Sequence, residues 1–456
     1  MGIALSVLSF FAVRWFARRG LGHAFGAALA VGCFYGIVRA QLNDSGSYLM
    51  FDAALLGLYL SAYKGLRGRV FRHARVLTGW VVALCALPIL LILLSPFLEG
   101  QPLMVQLLGL RTAMFFVPVL LIGAYLSEAE WLDVSTWVAW LALISAGFAI
   151  AEMLLGVERF FPDNPASALI YAAHDIGESS GLRIPSTFPS AHAYSGSMVG
   201  LVPILLRRLQ MGRTSRSAVL LTWAGLSAAG FGVLGSGARL PILVLAVMVP
   251  VLMLRSTKKR GLLVGLAAVT VVLGLTVAKT QQFRRIETLR DPEVVAARVG
   301  SSVNVSLFEA MAEAPLGYGL GMGFGTSIPY FLADSAKAQI GMESEYARIA
   351  IEEGVLGVGL WLGLILWSMS KLPFGRGNAG DLVGPAMWIF CAGSWVSGLI
   401  GAGVLSSVPT TVLLLSQMGA VAVRGERAAG AIVPKTRSDA KGLRTSIPRV
   451  RPVRLG

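Results

Sequence analysis

Charge is what this chain has least of. Only 14% of its 456 residues are Asp, Glu, Lys or Arg, against about 25% in an ordinary soluble domain. Roughly half of a normal solvating surface is therefore missing, which excludes a water-soluble globular fold. Cysteine is scarce as well: Cys33, Cys85 and Cys391 are odd in number and sit in apolar runs. That excludes a disulfide framework and leaves them as small packing residues. Four scattered histidines and no thiol cluster provide no zinc-ligand spacing. Asp163, Asp175 and Glu178 lie close together, but acids in loops are ordinarily solvated, so no metal and no cofactor is expected. The alternating glycines of GYGLGMGFG lack a following Gly-Lys-Ser/Thr and a strand–helix context, which excludes a nucleotide-phosphate loop.

What the chain has in abundance is apolar sequence, 55% of all residues. Runs long enough to cross a bilayer, about 20 residues each, recur along the whole length. The expected spans are 2–16, 21–40, 47–63, 76–98, 103–126, 131–155, 191–206, 218–235, 239–254, 262–278, 349–370, 382–401 and 404–422. The expected fold is an all-α polytopic membrane protein of 12–13 transmembrane helices. One membrane domain covers 1–422, with outer segments 156–190 and 279–348, and a basic tail covers 423–456. The first span lacks a basic start and a small-residue cleavage site, and Arg14, Arg18 and Arg19 follow it. It therefore reads as a span and not as a signal peptide.

A net charge of +15 suggests a nucleic-acid partner until the charges are located. The clusters Arg14–Arg19, Lys64–Arg75, Arg207–Arg216, Arg255–Arg260, Lys371–Arg376 and the tail from Arg424 hold 27 of the 39 basic residues. All fall on one side of the membrane by loop parity. This is the positive-inside pattern, which places that side and the C-terminus in the cytoplasm and leaves no case for nucleic acid. The tail can touch anionic membrane lipid or remain simply solvated. One inside loop, around Glu128 and Glu130, carries no basic residue and departs from the pattern.

The twelve remaining basic residues lie in spans, at their outer edge or in outer loops. Segment 279–348 concentrates them: Lys279, Arg284, Arg285, Arg290 and Arg298 in its first half, Lys337 and Arg348 in its second. Within it SSVNVSLFEAMAEAP reads as a short capped helix ended by Pro315. The glycines from 317 to 325 then forbid a regular helix. Charges inside spans are costly and face a partner or a cavity, which singles out Arg111 and Arg239. PSAH at 189–192, followed by SGAR ending at Arg239, is similar to elements of membrane-embedded phosphatases. Their nucleophile is a histidine downstream of that arginine, however, and no histidine follows Arg239 here.

Guanidinium forks match phosphate oxygens and stay charged when partly desolvated. Arg183 precedes a span, Arg239 opens another and Arg348 stands where the long loop re-enters, so all three are expected at similar depth. Together they suit a lipid-linked phosphate or diphosphate. In a glycosyl transfer they would stabilise the charge building on a departing diphosphate, while a carboxylate took the proton from an attacking sugar hydroxyl.

Four stretches carry a family resemblance across about 180–370: RIPSTFPSAHAYSG, GSGARLPILVLAV, PLGYGLGMGFG and ESEYARIAIEEGVLGVGLWLGLI. In order and spacing they resemble the O-antigen polymerase/ligase family of bacterial inner-membrane proteins. The resemblance implies a C-type glycosyltransferase-like architecture with a long periplasmic loop. It also implies an inverting, metal-independent transfer of undecaprenyl-diphosphate-linked glycan. Arg183 and Arg239 match the family's span-edge arginines, and Glu353 with Gly354 falls within its E-x-G. Ser186 stands where the first motif has glycine. The family's H-N pair is replaced by Glu343 and Ser344, which disfavours a ligase and favours a polymerase of exopolysaccharide, capsule or O-antigen.

On that reading Arg183, Arg239, Arg348 and members of Arg284, Arg285, Arg290 and Arg298 hold the diphosphate, and Glu343 or Glu345 is the base. For the two glutamates the competing expectation is an ordinary helix start, where an acid gains about 0.3–1 kcal/mol from the helix dipole. A chain-length regulator and a flippase are the expected protein partners. The alternatives are ligase-type transfer to a lipid or protein acceptor, and a non-enzymatic flippase or exporter of the same glycans.

Overall fold

The computed structural model describes residues 1–66, 72–94, 101–172, 182–210, 215–255, 308, 311–312, 314–323, 328–337, 344–374, 381–401 and 403–424. All regular structure among them is helical. In chain order the helices are α1 (Gly2–Phe16), α2 (Leu21–Leu42), α3 (Met50–Gly65), α4 (Arg72–Leu94), α5 (Leu103–Leu110), α6 (Val119–Tyr125), α7 (Glu128–Leu155), α8 (Ala168–Ala172), α9 (Ala191–Gln210), α10 (Arg216–Gly235), α11 (Arg239–Arg255), α12 (Tyr330–Ala333), α13 (Glu345–Met369), α14 (Val383–Ser397) and α15 (Thr410–Ala422).

A helix stands at each expected span except 262–278, which lies outside the described residues. Six are long and apolar enough to cross a membrane: α2, α4, the run Leu103–Tyr125, α7, α10 and α13. The run Leu103–Tyr125 is a broken span. A π-helical turn, Arg111–Phe115, separates α5 from α6 and sets Arg111 against α3. There Arg111 Nε donates to Asp52 Oδ2 at 2.6 Å, so this intramembrane arginine has a local acid as partner. Helix α1 is shorter, and its exposed stripe of Ile3, Val7, Leu8, Phe11 and Trp15 presents a lipid-compatible face.

Helix α15 is short and closely enclosed. Residues Thr411–Ala422 of α15 are all buried, and small residues let its neighbours in. A Cβ on Gly419 would overlap the Leu120 carbonyl oxygen, and one on Gly123 would overlap that of Ser416. Helices α6 and α15 thus cross backbone to backbone, the small-residue packing that membrane interiors favour. On its other side Gln417 Nε2 donates to Gly200 O at 2.7 Å, tying α15 to α9.

Among the described residues, polar contacts between loops join loops of like parity. At the arginine-rich end Arg14 meets Ser61, Arg255 donates to the Pro373 and Phe374 carbonyls, and Arg424 pairs with Asp381. At the opposite end Gln41 reaches Phe160 O, Arg39 reaches Ala166 O and Tyr330 donates to Asn43 O. The anomalous acidic loop finds its cation at the end of another helix: Arg207 of α9 lies 3.3 Å from Glu128.

Candidate functional site

The end opposite the arginine-rich loops is organised by α13. Ser344 caps it, accepting from Ala347 N at 3.5 Å and donating to Gly398 O at 3.2 Å. Sequence spacing does the next step: Glu345, Arg348 and Glu352 are three and four residues apart and so share one helix face. Arg348 Nε donates to Glu345 Oε1 at 2.9 Å, and its two Nη atoms each make a 2.5 Å bond, one to Glu345 and one to Glu352. The other oxygens are taken as well. Glu345 Oε2 accepts from Gly403 N and Val404 N at 2.6 and 2.9 Å. Glu352 Oε1 accepts from Gly321 N and Gly323 N, both at 3.2 Å. One arginine thus fastens the glycine turn and the 398–404 loop to a single helix.

The glycine turn and the E-x-G element interlock through backbone atoms. Residues 314–323 form turns without helix, as the glycines predict, with Gly317, Gly319 and Gly321 at positive φ. Gly354 breaks α13 with φ 66° and ψ −162°. The amide it releases downstream, Val355 N, donates to Pro315 O at 2.9 Å, and Ile351 O accepts from Tyr318 N at 2.7 Å. A helix interrupted inside a membrane must have its freed backbone groups satisfied by protein, and the PLGY turn does this.

The geometry gives Glu345 the helix-start position that was the competing expectation for it. Glu345 is fully buried with both oxygens committed, and Arg348 is 3% exposed between two carboxylates. Both groups are committed to structural bonds, Glu345 and Arg348 tying the 398–404 loop and the glycine turn to α13. Glu352, which the sequence reading gave no role, is the third member of that scaffold. Its i+4 spacing from Arg348 was the available signal.

A second group forms at the start of α9. Arg183, half-buried in the preceding loop, places Nη1 2.8 Å from His192 Nε2 in the first turn of the helix. That loop is clamped from two sides. Glu152 of α7 accepts from Ser186 N at 2.8 Å, and Ser186 Oγ donates to Ser145 O at 2.7 Å. On the other side Ile37 N of α2 donates to Thr187 O at 3.1 Å, and α2 approaches so closely at Gly36 that a Cβ there would overlap Phe188. Ser186 has φ 54°, the left-handed region that costs a side-chain-bearing residue about 1–2 kcal/mol. The clamps hold serine in a backbone conformation that glycine would adopt without that cost. Glu152, a lone acid in an apolar run, was legible as an intramembrane charge but was not singled out.

Arg239 is the first residue of α11, directly after the turn at Gly237 with φ 73°. It is half-buried. Its neighbour Leu240 packs near Gly401, in the loop that also anchors Glu345. The start of α9 joins the same region: Thr410 Oγ1 donates to Ala193 O at 3.1 Å, and Thr411 Oγ1 to Val404 O at 3.0 Å. Arg183, His192 and Arg239 thus belong to one end of the bundle, set around the loop 398–409. Glu343, Arg284, Arg285, Arg290 and Arg298 lie outside the described residues, as does most of the expected helix at 301–315. Among the described residues no group of three or more His, Cys, Asp or Glu side chains is placed to hold a metal ion. No family model matches the chain, and no curated protein matches it in sequence.

Proposed function

We propose that the chain is a membrane glycosyltransferase that polymerises undecaprenyl-diphosphate-linked repeat units into exopolysaccharide, capsule or O-antigen at the periplasmic face of the inner membrane. The observation that carries the reading is the position of two half-buried arginines, Arg183 before α9 and Arg239 at the start of α11, at the same end of the bundle. Partly desolvated guanidiniums beside a helix N-terminus suit an anionic diphosphate at the membrane edge. Bound there, the departing diphosphate would have its growing charge met by fixed donors. Arg284, Arg285, Arg290 and Arg298 supply further cations from the long loop.

The buried Glu345–Arg348–Glu352 array supports this by holding the loop ends in fixed places, since a site for charge stabilisation depends on pre-set geometry. The test is elongation of lipid-linked repeat units by purified protein in detergent. Arg239→Ala is expected to abolish elongation while the protein keeps its melting temperature. Elongation at the parent rate would refute the assignment. Elongation without a bilayer would also separate the reading from pure export, and product found on a lipid or protein acceptor would indicate ligation instead.

A further inference from the structure

We infer that His192 is the proton acceptor of this transfer and that Arg183 covers its lone pair until the diphosphate arrives; this rests on the glycosyltransferase reading above. Glu345 has both carboxylate oxygens bonded and no exposed surface. His192 is exposed in the first turn of α9, and it is the only histidine at this end among the described residues, since His23 and His73 start helices at the arginine-rich end.

The pairing itself fixes the imidazole's state. A guanidinium has donors only, so the 2.8 Å contact from Arg183 Nη1 puts an acceptor lone pair on Nε2 and the ring proton on Nδ1. The ring is therefore held neutral, in the form a base requires, but with its basic nitrogen occupied. A diphosphate is a stronger partner for Arg183 than a neutral imidazole, because it brings an opposite charge and accepts the guanidinium fork in a bidentate pair. Binding of the donor substrate would draw Arg183 onto phosphate oxygens and expose Nε2 at the same moment. The base is then uncovered only when a glycosyl donor is present, which guards the donor against premature attack by water.

The step balances. The acceptor sugar's O–H bond breaks and its proton moves to Nε2. The oxygen bonds to the donor's anomeric carbon as the carbon–phosphate-oxygen bond breaks. The lipid diphosphate leaves with that electron pair, facing Arg183 and Arg239, and the imidazolium later returns its proton to water.

Three variants test this in detergent with lipid-linked repeat units, alongside thermal melting. His192→Gln keeps an acceptor oxygen for Arg183 but cannot carry the proton. It is expected to lower kcat by about 10²–10⁴-fold with KM within about twofold, the signature of a loss confined to the transition state. His192→Ala is expected to regain part of its rate with added imidazole, which a purely structural role would not allow. Arg183→Ala is expected to raise KM. If His192→Gln turns over within threefold of the parent while Arg183→Ala raises KM, the inference falls and the site reading stands; Glu343 then takes the role of base. If Arg183→Ala and Arg239→Ala are both indistinguishable from the parent, the site reading falls with it.

Discussion

Gly317 and Gly354 meet backbone to backbone, with no room for a side chain on either. A Cβ on Gly354 would lie 2.7 Å from Gly317 N, and one on Gly317 would lie 2.8 Å from Gly354 N. Gly354 also holds φ 66° and ψ −162°, a combination open essentially to glycine alone. Gly354→Ala is therefore expected to destabilise the protein by about 3 kcal/mol or more, adding backbone strain of 1–3 kcal/mol to overlap with the Pro315 carbonyl. A thermal melt in detergent unchanged from the parent would contradict the interlock.

Arg348 is the cation bonded to two buried carboxyl groups, so its loss leaves both without a guanidinium partner. Removing one member of a buried ion pair costs about 3–5 kcal/mol. Arg348→Met is accordingly expected to fail to accumulate or to melt far below the parent, even though methionine fills a similar volume. A melting temperature within a few degrees of the parent would show that the array contributes little.

At Ser186 two effects oppose each other. Glycine would relieve about 1–2 kcal/mol of left-handed strain but lose the bond to Ser145 O, worth about 1 kcal/mol. Ser186→Gly is expected to be neutral within about 1 kcal/mol. Ser186→Val loses the same bond and adds a β-branched side chain at positive φ, so it should be strongly destabilising. Equal melting temperatures for the two variants would refute the strained conformation.

Asp44 provides a pH test outside the membrane spans. Backbone donors at Gly46 and Gly2 hold its carboxyl below the ordinary aspartate range. A pKa lower in the folded state means stability that is complete above the unfolded value, about 3.9, and is lost as pH falls through the folded value. Asp44→Asn should therefore melt less steeply with acidification below about pH 4 than the parent does. Parallel acid limbs for the two proteins would remove Asp44 from that role.

Much of this arrangement is legible in the sequence. The length of the apolar runs located the helices, and the glycines of PLGYGLGMG located the turn. Loop parity sorted the basic clusters into sets that the contacts Arg255–Pro373 and Arg424–Asp381 keep together. The roles of Glu345 and Arg348 were not legible, because motif position cannot tell a solvent-facing acid from one locked by Gly403 and Val404, 58 and 59 residues away. The same holds for Glu128, whose cation comes from Arg207 on a helix remote in sequence but packed beside it, and for the Arg183–His192 contact, which depends on how one loop folds back over the start of α9.

Helix α9 is 20 residues long with 16 of them buried, yet it is not among the six helices apolar enough to cross a membrane unaided. Its polar first half, AHAYSGS, and its terminal Arg207 and Arg208 make it a poor solo passenger for the insertion machinery, which selects segments by their own hydrophobicity. Its neighbours α7 and α10 are among the six. Their order in the chain implies a biogenesis in which α7 enters the bilayer first, α9 lodges against it through Arg207 and Glu128, and α10 seals it from the lipid. The segment carrying His192 would then take its final depth only when the chain on both sides has been made.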